Sequence, residues 1–460
     1  MSGSSGPAIP NPARAGCFRF LNCSYDVQSG IARLSYAFDD GPELVEQITF
    51  PHAPWPPEAS RQASFRRALE ILHLVAGVSY YKAGMNRRIE VSDLRSLDGL
   101  HDFLTELYVR GLAEFGYVNK VDVEARIKFP DEQALPDPRA QPAHELILPE
   151  RALVAMGGGK DSLVGLDIMQ RAGVSVMPVC VGGSELIRRT VKEAGLPLIA
   201  IGRSLAPELS QMNLAGALNG HVPVTAINSA ILLCASILYG FRFIVFANER
   251  SADEATLVTE DGNEVHHQYS KSSGFEEGFR HVIADQVSPD IEYFSILRPC
   301  SELEIVRQFS GMKRFHEVYS SCNRNFHLDG PRLDDRWCGD CPKCRFAALS
   351  LAVFMSPEQV RAIQGVDLLD DPGQLEGFRA LCGLGRDKPF ECVGEAGESR
   401  AALAALASMD PWKEHAVVTA LLPDLQAVSV PDLDSLLQPA GRHFIPQAIL
   451  SASDLLSRAD

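Results

Sequence analysis

The stretch ALVAMGGGKDSLVGLDIMQRAGVSVMPV (residues 152–179) decides the predicted fold. Its first five residues are apolar, and three glycines end that run because they can take backbone angles that other residues avoid. From Asp161 onward the apolar residues recur at helical spacing, and Gly173 marks the end of the helix. The β-branched run that follows is typical of a buried strand. The stretch therefore predicts a strand, a glycine turn, a helix and a second strand.

The glycine turn is a candidate phosphate-binding loop. In such a unit, free backbone N–H groups and the positive end of a helix meet at one point, which suits an anion. The candidate nucleotide-binding residues are Gly157, Gly158, Gly159, Lys160, Asp161 and Ser162. Their spacing fits neither G-x-x-x-x-G-K-[ST] nor G-x-G-x-x-G. The alternative is a tight connection between strand and helix that binds nothing.

Composition excludes several classes of function. The 460 residues are 46% apolar, enough for a large core and two or three domains. A net charge of −16 argues against nucleic-acid binding, which needs a basic surface. No apolar run has the length of a membrane span, and the first residues lack the apolar region of a signal peptide. We therefore expect a cytoplasmic protein without membrane insertion, whose 11 cysteines are reduced.

The pattern along the chain predicts an α/β protein with several parts. Residues 1–16 are expected to be a flexible tail, and residues 17–130 an α+β domain with antiparallel strands near its start. The segment VEARIKFP (123–130) is expected to be a further strand. Residues 131–148, rich in proline, are the predicted linker. Regular strand–helix alternation then predicts a parallel-sheet domain over residues 149–350, followed by a helical region over residues 351–460.

Four cysteines have the spacing of a metal site. Cys338, Cys341 and Cys344 follow a C-x2-C-x2-C pattern, and Cys322 can fold back as the fourth ligand. Four thiolates indicate a structural zinc site. An iron–sulfur cluster, redox thiols and two unrelated pairs are the competing interpretations, and His327 could replace Cys322.

Two polar stretches are candidate substrate sites. FANERSADEATL follows the predicted strand FRFIVFA, so its first polar residues leave the sheet at the carboxyl edge, where the glycine turn also lies. HHQYSKSS, which follows it, supplies acids, bases and hydrogen-bond donors, and His221 in NGHVPVT is either a site residue or a helix cap. The candidate substrate-binding residues are Asn248, Glu249, Arg250, Tyr269, Ser270 and His221. An ordinary polar surface loop is the alternative.

The motifs resemble those of a known superfamily. GGGKDS is similar to the S-G-G-x-D-S loop of the PP-loop ATP pyrophosphatases, with Gly157 in the place of the serine. The resemblance implies that the chain binds ATP and Mg²⁺ and cleaves ATP between its α- and β-phosphates. The loop combined with CGDCPKC also resembles 7-cyano-7-deazaguanine synthase, which implies a structural Zn²⁺.

The order of the motifs resembles one branch more closely. GGGKDS, NGHVPVT, FANERSA, HQYSKS and CGDCPKCRF, behind about 145 N-terminal residues, are similar to the ATP-dependent UDP-N-acetylmuramoyl-L-alanyl-L-glutamate epimerases of bacterial peptidoglycan synthesis. This implies a nucleotide-linked peptide substrate whose terminal L-glutamate is inverted, with release of AMP and diphosphate. Candidate catalytic residues are Asp161 in the loop and Lys271, His267 and Arg250 as base, acid and carboxylate clamp, although the sequence does not assign these three roles to individual residues. A PP-loop ligase or synthase acting on another small molecule, and a non-catalytic nucleotide-sensing protein, are the alternatives.

Overall fold

The chain has an α/β fold. The computed structural model describes residues 11–91, 97, 99–130, 143–254, 257–258, 264–325, 336–385, 389, 391, 393–453 and 455. The chain divides into two compact units. The first comprises Met1–Leu153, Ile199–Ile244 and Val265–Tyr293, and the second comprises Val154–Leu198, Val245–Glu264 and Phe294–Asp460.

The strands form one large sheet and one small one. Among the described residues the strands are β1 (Cys17–Asp26), β2 (Ile31–Phe38), β3 (Leu44–Thr49), β4 (Arg88–Val91), β5 (Arg151–Ala155), β6 (Ser175–Val181), β7 (Ile199–Ser204), β8 (Phe243–Phe246), β9 (Leu257–Val258), β10 (Glu264–Val265) and β11 (Glu292–Ser295). Nine of these described strands make a mostly parallel sheet in the order β11-β8-β5-β6-β7-β3-β2-β1-β4, while β9 and β10 pair with each other.

Helices occupy most of the remaining described residues. They are α1 (Ala59–Ala76), α2 (Val78–Tyr81), α3 (His101–Gly111), α4 (Ala113–Asn119), α5 (Lys160–Arg171), α6 (Glu185–Glu193), α7 (Pro207–Leu214), α8 (Val224–Tyr239), α9 (Ser273–Gln286), α10 (Glu302–Ser310), α11 (Pro342–Ala352), α12 (Pro357–Gln364), α13 (Leu375–Leu381), α14 (Ala396–Ala407), α15 (Ala416–Leu425), α16 (Leu433–Leu436) and α17 (Gln447–Ala452). The helical C-terminal region expected from the sequence is confirmed.

The strand–glycine turn–helix–strand prediction is confirmed. β5, α5 and β6 follow one another as expected, and β5 lies beside β6 in the sheet. Gly173 ends the helix with a φ of +74°, a left-handed conformation that favours glycine. β8 and β11 are parallel, because the N–H groups of Glu292 and Ile296 donate to the carbonyls of Arg242 and Phe246, and the separation is four residues in both segments. Parallel strands bring their carboxyl ends to one edge of the sheet.

The antiparallel strands predicted near the start are confirmed, in the first unit. β1 pairs with β2 and β2 with β3, both antiparallel, and β3 pairs antiparallel with β7. An aromatic cluster covers this part of the sheet, in which Phe18, Phe20 and Tyr36 are almost fully buried. The rings fill a core that the short strands alone would leave poorly packed.

The prediction of a strand at VEARIKFP (residues 123–130) is wrong. Residues 124–126 form a turn, and the N–H groups of Arg126 and Ile127 both donate to the carbonyl of Val123. Val123, Ile127 and Phe129 are buried, so their apolar character reflects packing of a turn and not the alternation of a strand. Short apolar patterns of this kind do not distinguish the two.

Two other predicted segments lie partly outside the described residues. Of the tail, residues 1–10 are outside, while Pro12–Arg14 form a 3₁₀ turn and the carbonyl of Pro12 accepts a hydrogen bond from Asn86. Of the linker, residues 131–142 are outside, and the N–H of Leu146 donates to Asp290 at 2.6 Å. The domain boundaries stay predictions. None of the described helices is long and apolar enough to cross a membrane.

We predict that a buried ion pair contributes strongly to the stability of the first unit. Arg203 Nε donates to Glu46 Oε1 at 2.7 Å, and the Glu46 side chain is fully buried. Arg203→Met leaves that carboxylate buried without its cation, which costs about 3–5 kcal/mol. Urea unfolding should show a clear fall in midpoint. Asp40→Asn, which breaks the exposed Arg19–Asp40 pair, is the control and should leave the midpoint unchanged. Equal midpoints in the two variants would contradict the prediction.

Candidate functional site

The glycine turn has the backbone geometry of an anion site. Gly158 has a φ of +78°, and a Cβ there would also lie 3.2 Å from Ile187, so only glycine fits without strain. Gly159 is the N-cap of α5, and Gly157 faces open space. The first four N–H groups of a helix have no partner within the helix and carry its positive dipole end. The turn can therefore receive an anionic group.

Lys160, the first residue of α5, is a buried cation. Its Nζ donates to Asp161 Oδ1 at 2.5 Å and to Glu302 Oε2. Burial alone would favour the neutral amine, but the charges of Asp161 and Glu302 outweigh it, so the pKa of Lys160 is raised. Its ammonium group is thus held in place by two carboxylates.

Three carboxylates converge beside this lysine. One oxygen each of Asp161, Glu249 and Glu302 lies within 4.8 Å of the other two. Burial raises the pKa of Glu302, an effect that Lys160 partly opposes and that the carboxylates of Asp161 and Glu249 strengthen. Carboxylate oxygens are the ligands that Mg²⁺ prefers. The three carboxylates, which we call the acidic trio, can therefore hold a divalent cation.

Backbone contacts fix the residues that follow β8. The carbonyl of Glu249 accepts a hydrogen bond from Arg298 Nη1 at 3.0 Å, and the N–H of Arg250 donates to the carbonyl of Cys300 at 3.1 Å. The side chain of Asn248 donates to Ser295 Oγ at 3.0 Å. The proximity of Glu249 to Asp161 confirms that this stretch and the glycine turn lie at the same edge of the sheet.

A second cluster lies in the first unit. Glu114 in α4 accepts a hydrogen bond from His267 Nδ1, and the same oxygen lies 3.8 Å from His221 Nδ1. The two imidazole rings are 4.7 Å apart between centroids. Burial lowers the pKa of His221 to about 4, aided by the charges of His267 and Lys271 and opposed by Glu114. His221 is therefore neutral near pH 7.

The remaining candidates surround this cluster in different ways. Tyr269 and Ser270 are buried in a 3₁₀ turn over Tyr269–Lys271, and the Arg110 guanidinium lies 5.8 Å from the centre of the Tyr269 ring. Burial raises the pKa of Tyr269. The N–H of Lys271 donates to the carbonyl of Gln268, and its charge acts on His221. A carboxylate, two imidazoles and an ammonium group together can transfer protons.

The four predicted cysteines converge in the second unit. The Sγ atom of Cys341 lies 3.4 Å from the Sγ atom of Cys344 and 3.9 Å from that of Cys322. The Sγ atoms of Cys338 and Cys344 are 3.7 Å apart. Tetrahedral zinc with Zn–S bonds of about 2.3 Å would place its sulfurs about 3.8 Å apart. A disulfide needs about 2.05 Å. The geometry thus fits a four-coordinate metal. His327, the alternative ligand, lies outside the described residues.

Sequence reasoning missed two residues of these clusters. Glu302 follows the end of β11 and opens α10, where Ser301 caps the helix by accepting from the N–H of Glu304. The pattern Ser301-x-x-Glu304 marks only the start of this helix and does not indicate that Glu302 is buried. Glu114 has no such signal, because a glutamate in an amphipathic helix normally faces solvent.

Comparisons with known proteins give consistent matches. The model of the MurL N-terminal domain matches residues 10–296, and that of the MurL C-terminal domain matches residues 318–435. A UDP-N-acetyl-alpha-D-muramoyl-L-alanyl-L-glutamate epimerase of Xanthomonas oryzae pv. oryzae is 46% identical over 436 residues, 94% of this chain and 95% of that protein. Proteins of the same name from Salinispora tropica and Micromonospora sp. are 39% and 40% identical; each match covers 94% of this chain, and 94% and 96% of those proteins, respectively.

We predict that His221 makes stability depend on pH. Its pKa is lowered on folding from 6.5 to about 4, so the unfolded chain takes up the proton more readily. The contribution of His221 to the free energy of unfolding is therefore complete above pH 6.5, and it is lost as the pH falls towards 4. Urea unfolding between pH 7 and 4 should therefore show a steeper loss of the free energy of unfolding in the native chain than in His221→Asn. Parallel pH curves would contradict the prediction.

Proposed function

Because the chain belongs to the MurL family, we propose that it inverts the terminal L-glutamate of UDP-N-acetylmuramoyl-L-alanyl-L-glutamate to D-glutamate with consumption of ATP. The observation that carries the epimerase function is the 46% identity to a protein of that name over 94% of the chain. The relatives share one name, which favours neither a ligase nor a non-catalytic nucleotide sensor.

The use of ATP is supported by the second unit. The first turn of α5 offers backbone N–H groups to phosphates, and the buried Lys160 adds a fixed positive charge beside them. We assign Gly157, Gly158, Gly159 and Ser162 to the phosphate loop, together with Lys160 and Asp161. The acidic trio would hold Mg²⁺, which would neutralise phosphate charge. We propose that AMP and diphosphate are the products.

Activation explains why an epimerase would need ATP. A free carboxylate resists removal of the neighbouring α-proton, because the product would carry a second negative charge on the same group. In the proposed step, a carboxylate oxygen attacks the α-phosphorus and diphosphate leaves. The resulting mixed anhydride has lost the carboxylate charge, so a modest base can remove the α-proton. Hydrolysis of the anhydride after reprotonation releases AMP and the inverted acid.

Three residues are assigned to the substrate steps. Lys271, after it has released its ammonium proton to solvent, acts as the base that takes the α-proton, and a protonated His267 acts as the acid that returns one from the other face. Arg250 binds the carboxylate that is activated. A positioned acid or base contributes about 10²–10⁴-fold to rate. Asn248, Glu249, Tyr269, Ser270 and His221 are proposed to contact the substrate, and a cytoplasmic location remains a prediction.

We predict that isotope exchange will depend on ATP. In heavy water with the dipeptide nucleotide, Mg²⁺ and ATP, deuterium should appear at the α-carbon of the terminal glutamate, with formation of AMP and diphosphate. Mass spectrometry and chiral analysis of the glutamate measure the result. Asp161→Asn should abolish both AMP and exchange, because it removes a carboxylate of the acidic trio. Asp167→Asn, on the half-exposed face of α5, is the matched control.

Two outcomes would contradict this function. Exchange at full rate without ATP would indicate direct racemisation, which needs no activation. Formation of AMP with the α-hydrogen retained would indicate a ligase or another adenylating enzyme.

We predict one zinc ion per chain, bound by Cys322, Cys338, Cys341 and Cys344. The sulfur separations and the all-thiolate donor set support this assignment. Cys341→Ser should lower the zinc content from one per chain towards zero and loosen the start of α11, because structural zinc binding is coupled to folding. Elemental analysis and limited proteolysis measure both effects. Cys23→Ser, in β1, is the control. Iron in place of zinc, or unchanged zinc in Cys341→Ser, would refute the assignment.

A further inference from the structure

The contact between Glu114 and His267 determines which nitrogen of the histidine can exchange protons. A carboxylate oxygen only accepts hydrogen bonds, so the Nδ1 atom that faces it must carry a proton. The other ring nitrogen, Nε2, is then the atom that gains or loses a proton. A carboxylate on one nitrogen also stabilises the positively charged ring.

The second histidine cannot easily take over this role. His221 Nδ1 lies 3.8 Å from the same carboxylate oxygen, beyond hydrogen-bond distance. Burial and the charges of His267 and Lys271 keep His221 neutral, which the low pKa of about 4 reflects. Of these two rings, His267 is therefore the one whose Nδ1 is hydrogen-bonded to Glu114.

The loop that carries His221 is fixed against α4. The Asn219 side-chain oxygen accepts hydrogen bonds from the N–H of Gly220 and from the buried Lys82. The backbone carbonyl of Asn219 accepts a further hydrogen bond from the side chain of Asn119 at 3.2 Å. Gly220 has a φ of +154°, and a Cβ there would lie 3.1 Å from the Phe115 ring. The two histidines and Glu114 are thus positioned by packing as well as by their own contacts.

We infer that Glu114 is a positioning residue that holds His267 in the form whose Nε2–H is given to the substrate carbon. This inference rests on the proposed function. In the reprotonation step the electron pair of the enolate carbon forms the new C–H bond, and the N–H bond at Nε2 breaks. Glu114 keeps its hydrogen bond to Nδ1 throughout and is not itself protonated.

A metal site is the competing interpretation of the same three side chains. Their ligand atoms lie within 4.8 Å of one another, and two histidines with a glutamate can bind zinc. The positive charge of Lys271 acts on His221 and would oppose a dication there. In addition, His267 Nδ1 already donates a hydrogen bond to Glu114, so this nitrogen carries a proton and is not available to bind a metal. These two observations favour proton transfer.

The first test reads the tautomer directly and does not require activity. ¹⁵N spectra of histidine-labelled protein should show His267 protonated at Nδ1, with the signal assigned by its loss in His267→Ala. In Glu114→Gln the signal should move towards a mixture of tautomers, whereas in Glu124→Gln, an exposed control, it should not move. A His267 signal that is unchanged in Glu114→Gln would overturn the proposal. Signals of both His221 and His267 that shift on treatment with a chelator would replace it with a metal site.

The second test separates this residue from the adenylation chemistry. Glu114→Gln should form AMP within a few-fold of the native rate in a single turnover, while exchange of the α-proton falls about 10²-fold with little change in KM. Glu114→Asp should recover part of the exchange rate. Because both residues act in one step, Glu114→Gln combined with His267→Ala should be no slower than His267→Ala alone. Additive losses would overturn the proposal.

The two failures are distinguishable. If the native chain shows no ATP-dependent exchange, the proposed function fails, and the ¹⁵N spectra still decide whether Glu114 fixes the histidine. If exchange is present and Glu114→Gln leaves it unchanged, the proposed function stands and the role of Glu114 fails.

Discussion

The buried ammonium group of Lys160 is the constraint on which the second unit depends. A buried cation is costly unless carboxylates pair with it, and Asp161 and Glu302 supply them. Together with Glu249 they form a group with three potential negative charges and one positive charge. Such an excess of negative charge beside a phosphate loop would repel ATP. A divalent cation at the acidic trio would cancel the excess, which is why the same residues that stabilise Lys160 suit a magnesium-dependent reaction.

The parts of the fold that the sequence predicted are those with local signals. β5, the glycine turn and α5 follow from an apolar run, three glycines and a change of period within 20 residues. The convergence of Cys338, Cys341 and Cys344 likewise follows from short spacings, with Pro342 beginning α11 directly after Cys341. Glu249 was predictable because it comes directly after a strand of a parallel sheet. In each case the relevant geometry is decided within a few residues.

Glu302, Glu114 and the segment 123–130 were beyond such reasoning for a common physical reason. A glutamate in a helix is normally solvated, and only contacts with residues distant in sequence bury it. Glu302 is hydrogen-bonded to a lysine 142 positions away, and Glu114 to a histidine 153 positions away. In VEARIKFP the apolar residues are buried by packing that the local pattern does not specify; Val123 packs closely on Gly116, for example. Long-range burial decides all three, and a single sequence does not display it.

Charge also explains why adenylation and proton transfer can be assigned to different sets of residues. Before activation the substrate carboxylate is an anion, and the groups proposed to act on it are cationic or metal-binding. In the proposed reaction the acyl group is neutral after activation, so Lys271 and His267 would act on a carbon whose proton is no longer held by a neighbouring negative charge. The proposed enolate would carry one negative charge, and a His267 imidazolium hydrogen-bonded to Glu114 would lose one positive charge when it donates its proton. His221, kept neutral by burial, adds no further charge to this exchange. A carboxylate paired with one protonated imidazole would therefore suit a substrate that carries its extra negative charge only as the enolate intermediate.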